Sequence, residues 1–190
     1  MVITYHGEGS FRLQAGAAVV LVDPEHQRSF KGAHCIIATT RPAHVDPPAA
    51  GDDAPFWIDH QGEYDLGSVM VHGVTAEWDR DDEHTAYRVT MDDISIGLLG
   101  FLTADPEPAV RELLAGVDIL IVPAGGKPFL TTAAAAKLAR QLEPSIVIPS
   151  LTDPKPLVKE LGNGGAPEER LTIKKKDLVS KAVRVVVLTS

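Results

Sequence analysis

In the first half of the chain the apolar positions come in short runs separated by glycine, proline and charged turns, the rhythm of β-strands. Residues 2–5, 11–14 and 17–22 read as three strands of a meander, with Gly7-Glu8-Gly9 in the first turn and Asp23-Pro24 as a hard stop. Residues 25–33 form a polar excursion. The run 35–38 has the length and β-branched content of a buried strand and breaks into the polar loop 39–46, where Pro42 forbids strand pairing. Residues 41–55 read as a long loop rich in proline. A short strand at 56–58, a turn at Gly62-Glu63-Tyr64-Asp65 and an alternating strand at 69–74 follow. Residues 85–91 and 94–99 pair as a hairpin around Asp92-Asp93.

The second half switches period. Asp105 is a candidate N-cap with Pro106 at the first helical position of a helix running to Leu114. VDILIV at 117–122 is a buried strand. Thr131 or Thr132 caps an Ala-rich helix to Leu142, with Ala135, Leu138, Ala139 and Leu142 at helical spacing. A strand at 145–148, a short helix at 155–161 closed by Gly162, and strands at 171–173 and 182–188 complete the chain. Strand–helix–strand units after a β-rich half predict two sheets packed face to face with helices outside, in a single α/β domain over 1–190.

Composition narrows the function classes. The chain is 44% hydrophobic and 23% charged, ordinary for a soluble globular protein, with a net charge of −8. That charge makes nucleic acid and anionic membrane poor partners. The acidic run 79–83 reads as a solvated loop, and Lys174-Lys175-Lys176 as an edge strand guarded by charge. Cys35 is the single cysteine, so an intrachain disulfide and a four-cysteine or Cys2His2 zinc site are excluded; its apolar neighbours make it an inert core thiol. No stretch approaches the ~20 apolar residues of a membrane span and the start lacks a secretory pattern, so the expected location is cytoplasmic.

Candidate chemistry concentrates in the loop 39–46, because loops at the carboxyl ends of buried strands are where α/β proteins build sites. It holds one His, one Asp, one Arg and two Thr, which is thin for catalysis. The chain lacks a Gly-x-Ser-x-Gly elbow, and Gly125-Gly126-Lys127 lacks the remainder of a phosphate-binding Walker loop.

An ordered set of segments resembles the metallo-β-lactamase-fold hydrolases, in particular their UlaG-like branch. The set is ITYHGEGSFRL, the VDP after the third strand, GEYDLGSVMVHGV, VDILIVPAGG, EPSIVIPS and the closing LTIKKKDL and VRVVVL. The resemblance covers nearly the whole chain. It implies a four-layer αββα sandwich of two mixed β-sheets with outer helices, and a metal site in the cleft at the sheet edges.

Carried over residue by residue, the family's metal ligands fall on unsuitable types. The His-x-His-x-Asp-His positions are Thr39, Arg41, Ala43 and His44, of which only His44 matches. The bridging aspartate falls on Phe101, the closing histidine on Leu151, and a histidine near the first turn on Glu8. A His-Asp pair falls on Trp78 and Asp79, with the aspartate retained. Thr, Ala, Phe and Leu make no useful zinc bond, and Arg41 places a cation where a dication belongs. The expectation is a pseudo-enzyme with no catalytic residue, no metal and no cofactor. Its candidate cleft is lined by Glu8, Arg41, His44, Trp78, Asp79 and Phe101, where Arg41 with Trp78 and Phe101 would suit a small anionic or aromatic ligand. Phe101, Leu151 and Trp78 packed into the former metal cavity is the competing expectation. The alternative is a zinc- or manganese-dependent hydrolase with a relocated site drawn from Glu8, Asp23, Asp46, His60, Glu63, His72, Asp79 and His84. The partner, a small molecule or a protein, is open, and the family implies self-association.

Overall fold

The computed structural model describes residues 1–51, 53–79, 82–178 and 183–190, with Trp78 and Asp79 described in backbone alone. Strands β1 (Val2–Gly7), β2 (Ser10–Ala15) and β3 (Ala18–Val22) form the antiparallel meander. A 3-10 turn, Gln27–Phe30, leads to β4 (Cys35–Ile37), parallel to β3. The chain then crosses to the second sheet for two residues, β5 (Thr40–Arg41), and returns as β6 (Phe56–Ile58), parallel to β4. With β13 (Arg170–Thr172) the first sheet runs β13-β1-β2-β3-β4-β6.

The second sheet begins as a meander of β7 (Gly62–Asp65), β8 (Met70–Asp79), β9 (Asp82–Met91) and β10 (Ile94–Leu98). It continues in parallel through β11 (Ile119–Pro123), β12 (Ile146–Ser150) and β14 (Arg184–Val185). Helices α1 (Pro108–Leu114), α2 (Thr132–Leu142) and α3 (Lys155–Leu161) cover its outer face. Val110, Leu114, Ala135, Leu138 and Leu157 there pack on Leu120, Val122 and Val147.

Between the sheets Ile3, Leu13, Val20, Val22, Cys35 and Ile37 meet Val71, Tyr87, Val89, Ile96, Leu98, Ile121 and Ile148. β3 explains its own unbroken apolar run: Val20 and Val22 face this core, while Val19 and Leu21 face outward under Phe30 of the 3-10 turn. The outermost layer on that side is thus a turn and loop, thinner than the helical layer opposite. No helix among the described residues is long and apolar enough to cross a membrane.

The sandwich of two mixed sheets matches the expectation, with a 3-10 turn and loop in place of a helical layer on the first sheet, and several local expectations change. Gly62-Glu63-Tyr64-Asp65 is a strand, because its residues pair with Gly73 through Met70 across β8. Thr40 and Arg41 pair with His84 and Glu83; Pro42 ends this short strand instead of preventing it. Lys174–Lys176 guard no strand, since residues 175–177 form a 3-10 turn and the Lys175 ammonium reaches the Asp118 carboxylate at 2.7 Å. α1 starts at the second X-Pro pair, with Glu107 at the N-cap, because Asp105 is engaged by Arg111 at 2.7 Å. Of the acidic run 79–83, Asp79, Asp82 and Glu83 belong to strands, while Arg80 and Asp81 lie outside the described residues. The last predicted strand contracts to Arg184–Val185, and Ala182 lies outside the described residues.

Tyr87 is fully buried and its ring lies on Gly73 of the neighbouring strand, while its hydroxyl donates to the His60 carbonyl at 3.2 Å. A Cβ on Gly73 would stand 2.5 Å from the ring edge. Gly73→Ala is therefore expected to lower stability by roughly 1–3 kcal/mol through overpacking, measured by urea denaturation.

Candidate functional site

The carboxyl ends of β3, β4, β10 and β12 converge on one end of the sandwich. β3 delivers Asp23, whose backbone takes φ +43° and whose amide donates to the Ile37 carbonyl at 2.8 Å. The Asp23 carboxylate turns inward and accepts two hydrogen bonds of 2.7 Å from Thr39, one from the amide and one from the hydroxyl. Burial pushes the Asp23 carboxyl up to about 7, and the two Thr39 bonds oppose that rise. Thr39 is buried too, and its hydroxyl lies directly against Gly100 at the end of β10, where a Cβ would overlap it.

Above this clamp the cleft is closed by carbon. Leu151 follows β12 in the left-handed region at φ +67°, and its side chain rests on Gly9, as does the ring of Phe101. Phe101 meets the His44 ring edge-on at 4.7 Å and the Phe129 ring at 6.0 Å. The space enclosed by Gly9, Phe11, Asp23, Gly100, Phe101, Ser150 and Leu151 is about 10 Å³, barely room for one water.

Arg41 is half-exposed, and its guanidinium pairs with the carboxylate of Glu83, which is only 5% exposed and also accepts from the Thr75 hydroxyl at 3.0 Å. Glu83 was missed in the sequence as part of an acidic loop. Its signal was the alternation Glu83, Thr85, Tyr87, Val89, which places it on the buried face of β9.

The structure brings together His44 and Phe101, with Leu151 beneath. It sets Glu8 on the exposed tip of the β1–β2 turn and turns Arg41 toward Glu83. The side chains of Trp78 and Asp79 lie outside the described residues. His44 also borders an open groove of about 710 Å³ with Glu25, His26, Arg28 and Asp46. Of the residues considered for a relocated site, His60 pairs with Asp59 at 2.7 Å and His72 approaches Glu63 at 3.8 Å, both on the surface. The Asp23 carboxylate takes both its hydrogen bonds among the described residues from Thr39. Among the described residues no group of three or more His, Cys, Asp or Glu is placed to hold a metal ion. The Cys35 thiol is buried and pushed up to about 12, as an inert core thiol would be.

A family model described as the β-lactamase superfamily domain matches residues 2–150. Among solved structures, a protein of the metallo-β-lactamase superfamily from Thermotoga maritima superposes with a TM-score of 0.74 at 20% identity, covering 99% of each chain. The metallo-β-lactamase fold protein YhfI of Bacillus subtilis gives 0.67 at 10% identity, covering 97% of this chain and 95% of that one. A metallo hydrolase of the archaeon Ignicoccus hospitalis gives 0.63 at 12% identity, covering 100% and 96%. These likenesses establish a shared fold. A comparison with curated proteins gives no significant match.

Two outcomes test the site's construction. Asp23 holds its proton to about pH 7 in the fold, against 3.8 ordinarily, so the folded state carries the extra proton between those values. The stability contributed by this group is complete below about pH 4 and is lost as pH rises through 7. Asp23→Asn keeps an acceptor for the Thr39 amide and cannot titrate. Urea denaturation should show the variant gaining on the wild type by a few kcal/mol between pH 4 and 8, at about 1.4 per pKa unit. Arg41→Met strands the Glu83 carboxylate and should lower stability by about 1–3 kcal/mol, with most of the loss recovered by adding Glu83→Gln.

Proposed function

The chain belongs to the β-lactamase superfamily, and we propose that within it this protein has given up metal-dependent hydrolysis and serves as a non-catalytic scaffold. The observation that carries this reading is the set of groups at the strand ends. A hydrolytic zinc site takes about three protein ligands and keeps one position for the water it activates. Here the Thr39 hydroxyl is committed to Asp23, Arg41 is a cation already paired with Glu83, and Phe101 and Leu151 offer only carbon. The space left among them is about 10 Å³. Among the described residues, the groups at these strand ends do not fit the metal of a hydrolase. The ordered segments that resemble the UlaG-like branch support placing the scaffold beside it.

The occupied Arg41 also argues against an anion bound in the old cleft, since a ligand there would have to displace a buried carboxylate. Packing of Phe101 and Leu151 over Gly9 supports the filled-cavity form of the reading, in which the remaining role is assembly.

Metal content decides the matter. Untagged protein from zinc- and manganese-supplemented cells is expected to carry metal far below one equivalent by elemental analysis. Its melting temperature should be unchanged by a chelator to within about 1 °C, because a ligand stabilises only the state that binds it. Near-stoichiometric metal with a chelator-sensitive melting temperature would return the hydrolase reading.

A further inference from the structure

Both sheets end on the same side of the molecule, because β6 and β7 are consecutive strands joined by residues 59–61. Among the described residues β7 has a single hydrogen-bonded neighbour, β8, and the other side of the Gly62–Asp65 backbone meets no strand. Such an edge is a template for another extended chain unless it is blunted. Two exposed large hydrophobic side chains flank it: Phe56 at 47% and Met70 at 58% exposure. They stand on opposite faces of the edge. Phe56 meets Tyr64 at 6.0 Å on the face toward the other sheet, whereas Met70 is in register with Asp65 on the outer face.

The outer face is open because the helical layer stops short. α1 covers Val74, Ala76 and Ala86, and beyond it lies a groove of about 620 Å³ bordered by Glu63, Asp65, Met70, His72, Arg88 and Thr90. Arg88 is turned to the carbonyls of Leu113 and Ala115 at 3.4 and 3.2 Å. Glu63 is 83% exposed, and the His72 ring approaches its carboxylate at 3.8 Å. The charge offered by the edge itself is therefore negative, in a chain of net charge −8.

We propose that β7 is a docking edge for an extended segment of another protein that alternates Lys or Arg with apolar residues. Strand alternation sets the pattern: cations beside Glu63 and Asp65 on the outer face, and an apolar side chain between them, entering beside Tyr64 and Phe56. A second copy of this chain is a poorer occupant. Antiparallel pairing of two β7 strands about Tyr64 sets Glu63 opposite the second copy's Asp65 twice, and like charges directly opposite are destabilising. The proposal stands on the edge alone and is independent of the fate of the cleft.

The test uses the full chain and two fluorescein-labelled peptides of sequence Thr-Lys-Val-Lys-Val-Lys-Thr and Thr-Glu-Val-Glu-Val-Glu-Thr. Fluorescence anisotropy should show saturable binding of the lysine peptide and at least tenfold weaker binding of the glutamate peptide. The charge-reversed Glu63→Lys/Asp65→Lys protein, checked for folding by circular dichroism, should lose at least tenfold for the lysine peptide. Phe56→Ser/Met70→Ser should weaken binding severalfold at high salt, where screening removes a purely ionic association. Amide chemical-shift changes should centre on residues 56, 62–65 and 70–72. Lysine-peptide binding undiminished by the charge reversal, or no binding of either peptide at millimolar concentration, overturns the proposal. So does a dimer in light scattering that occupies this edge and excludes the peptide.

Discussion

A carboxylate buried between strand ends is costly unless donors meet it, and Asp23 is met twice by Thr39. That contact fastens the end of β3 to the end of β4 within one sheet. The Thr39 hydroxyl in turn sits against Gly100 of the other sheet, so close that the glycine cannot carry a side chain. One polar pair thereby sets how near the two sheets come at the cleft. From Thr39 the chain crosses to the second sheet, and the pairing of Thr40 and Arg41 with β9 follows from that starting point.

Directly above the clamp the strand ends are packed with carbon. Leu151 holds a left-handed backbone, a conformation that costs on the order of 1–2 kcal/mol for a bulky residue and persists only where packing demands it. Its packing on Gly9 and beside Phe101 is that demand. The backbone at this end still bends as a site-bearing backbone does, with Glu8, Asp23 and Leu151 all at positive φ. The groups it presents are hydrocarbon, the His44 ring and a closed ion pair. The unpaired backbone lies instead along the edge where β6 and β7 bring the two sheets to an end on the same side.

Much of the fold was legible because its elements announce themselves locally. The run 18–22 is apolar at every position because both faces of β3 are covered. The α2 N-cap at Thr131, which accepts from the Ala134 amide at 3.2 Å, and the Gly162 stop of α3 were readable from residue type and spacing. The errors fall where a local signal competes with a distant partner. Gly62–Asp65 reads as a turn by composition and is a strand because β8 lies beside it. Lys174–Lys176 reads as a guarded edge, yet Asp177 caps a 3-10 turn there and Lys175 pairs with Asp118, far away in the chain. Glu83 reads as solvated and is buried, paired with Arg41 of β5, which the chain reaches by crossing from the other sheet.

By itself the sequence determined the strand and helix rhythm, the order of segments that marks the sandwich, and the residue types standing at the strand ends. Those are properties of short stretches, written in periodicity, caps and turn residues. Only the tertiary structure decided that Arg41 is spent on Glu83, that Phe101 and Leu151 close the cleft to about 10 Å³, and that the Asp23 carboxylate is bonded by Thr39. Each of these is a meeting of residues remote in the chain. Whether a charge is free or paired, and whether a gap is open or filled, depends on the few ångströms between such residues, which spacing along a sequence does not encode.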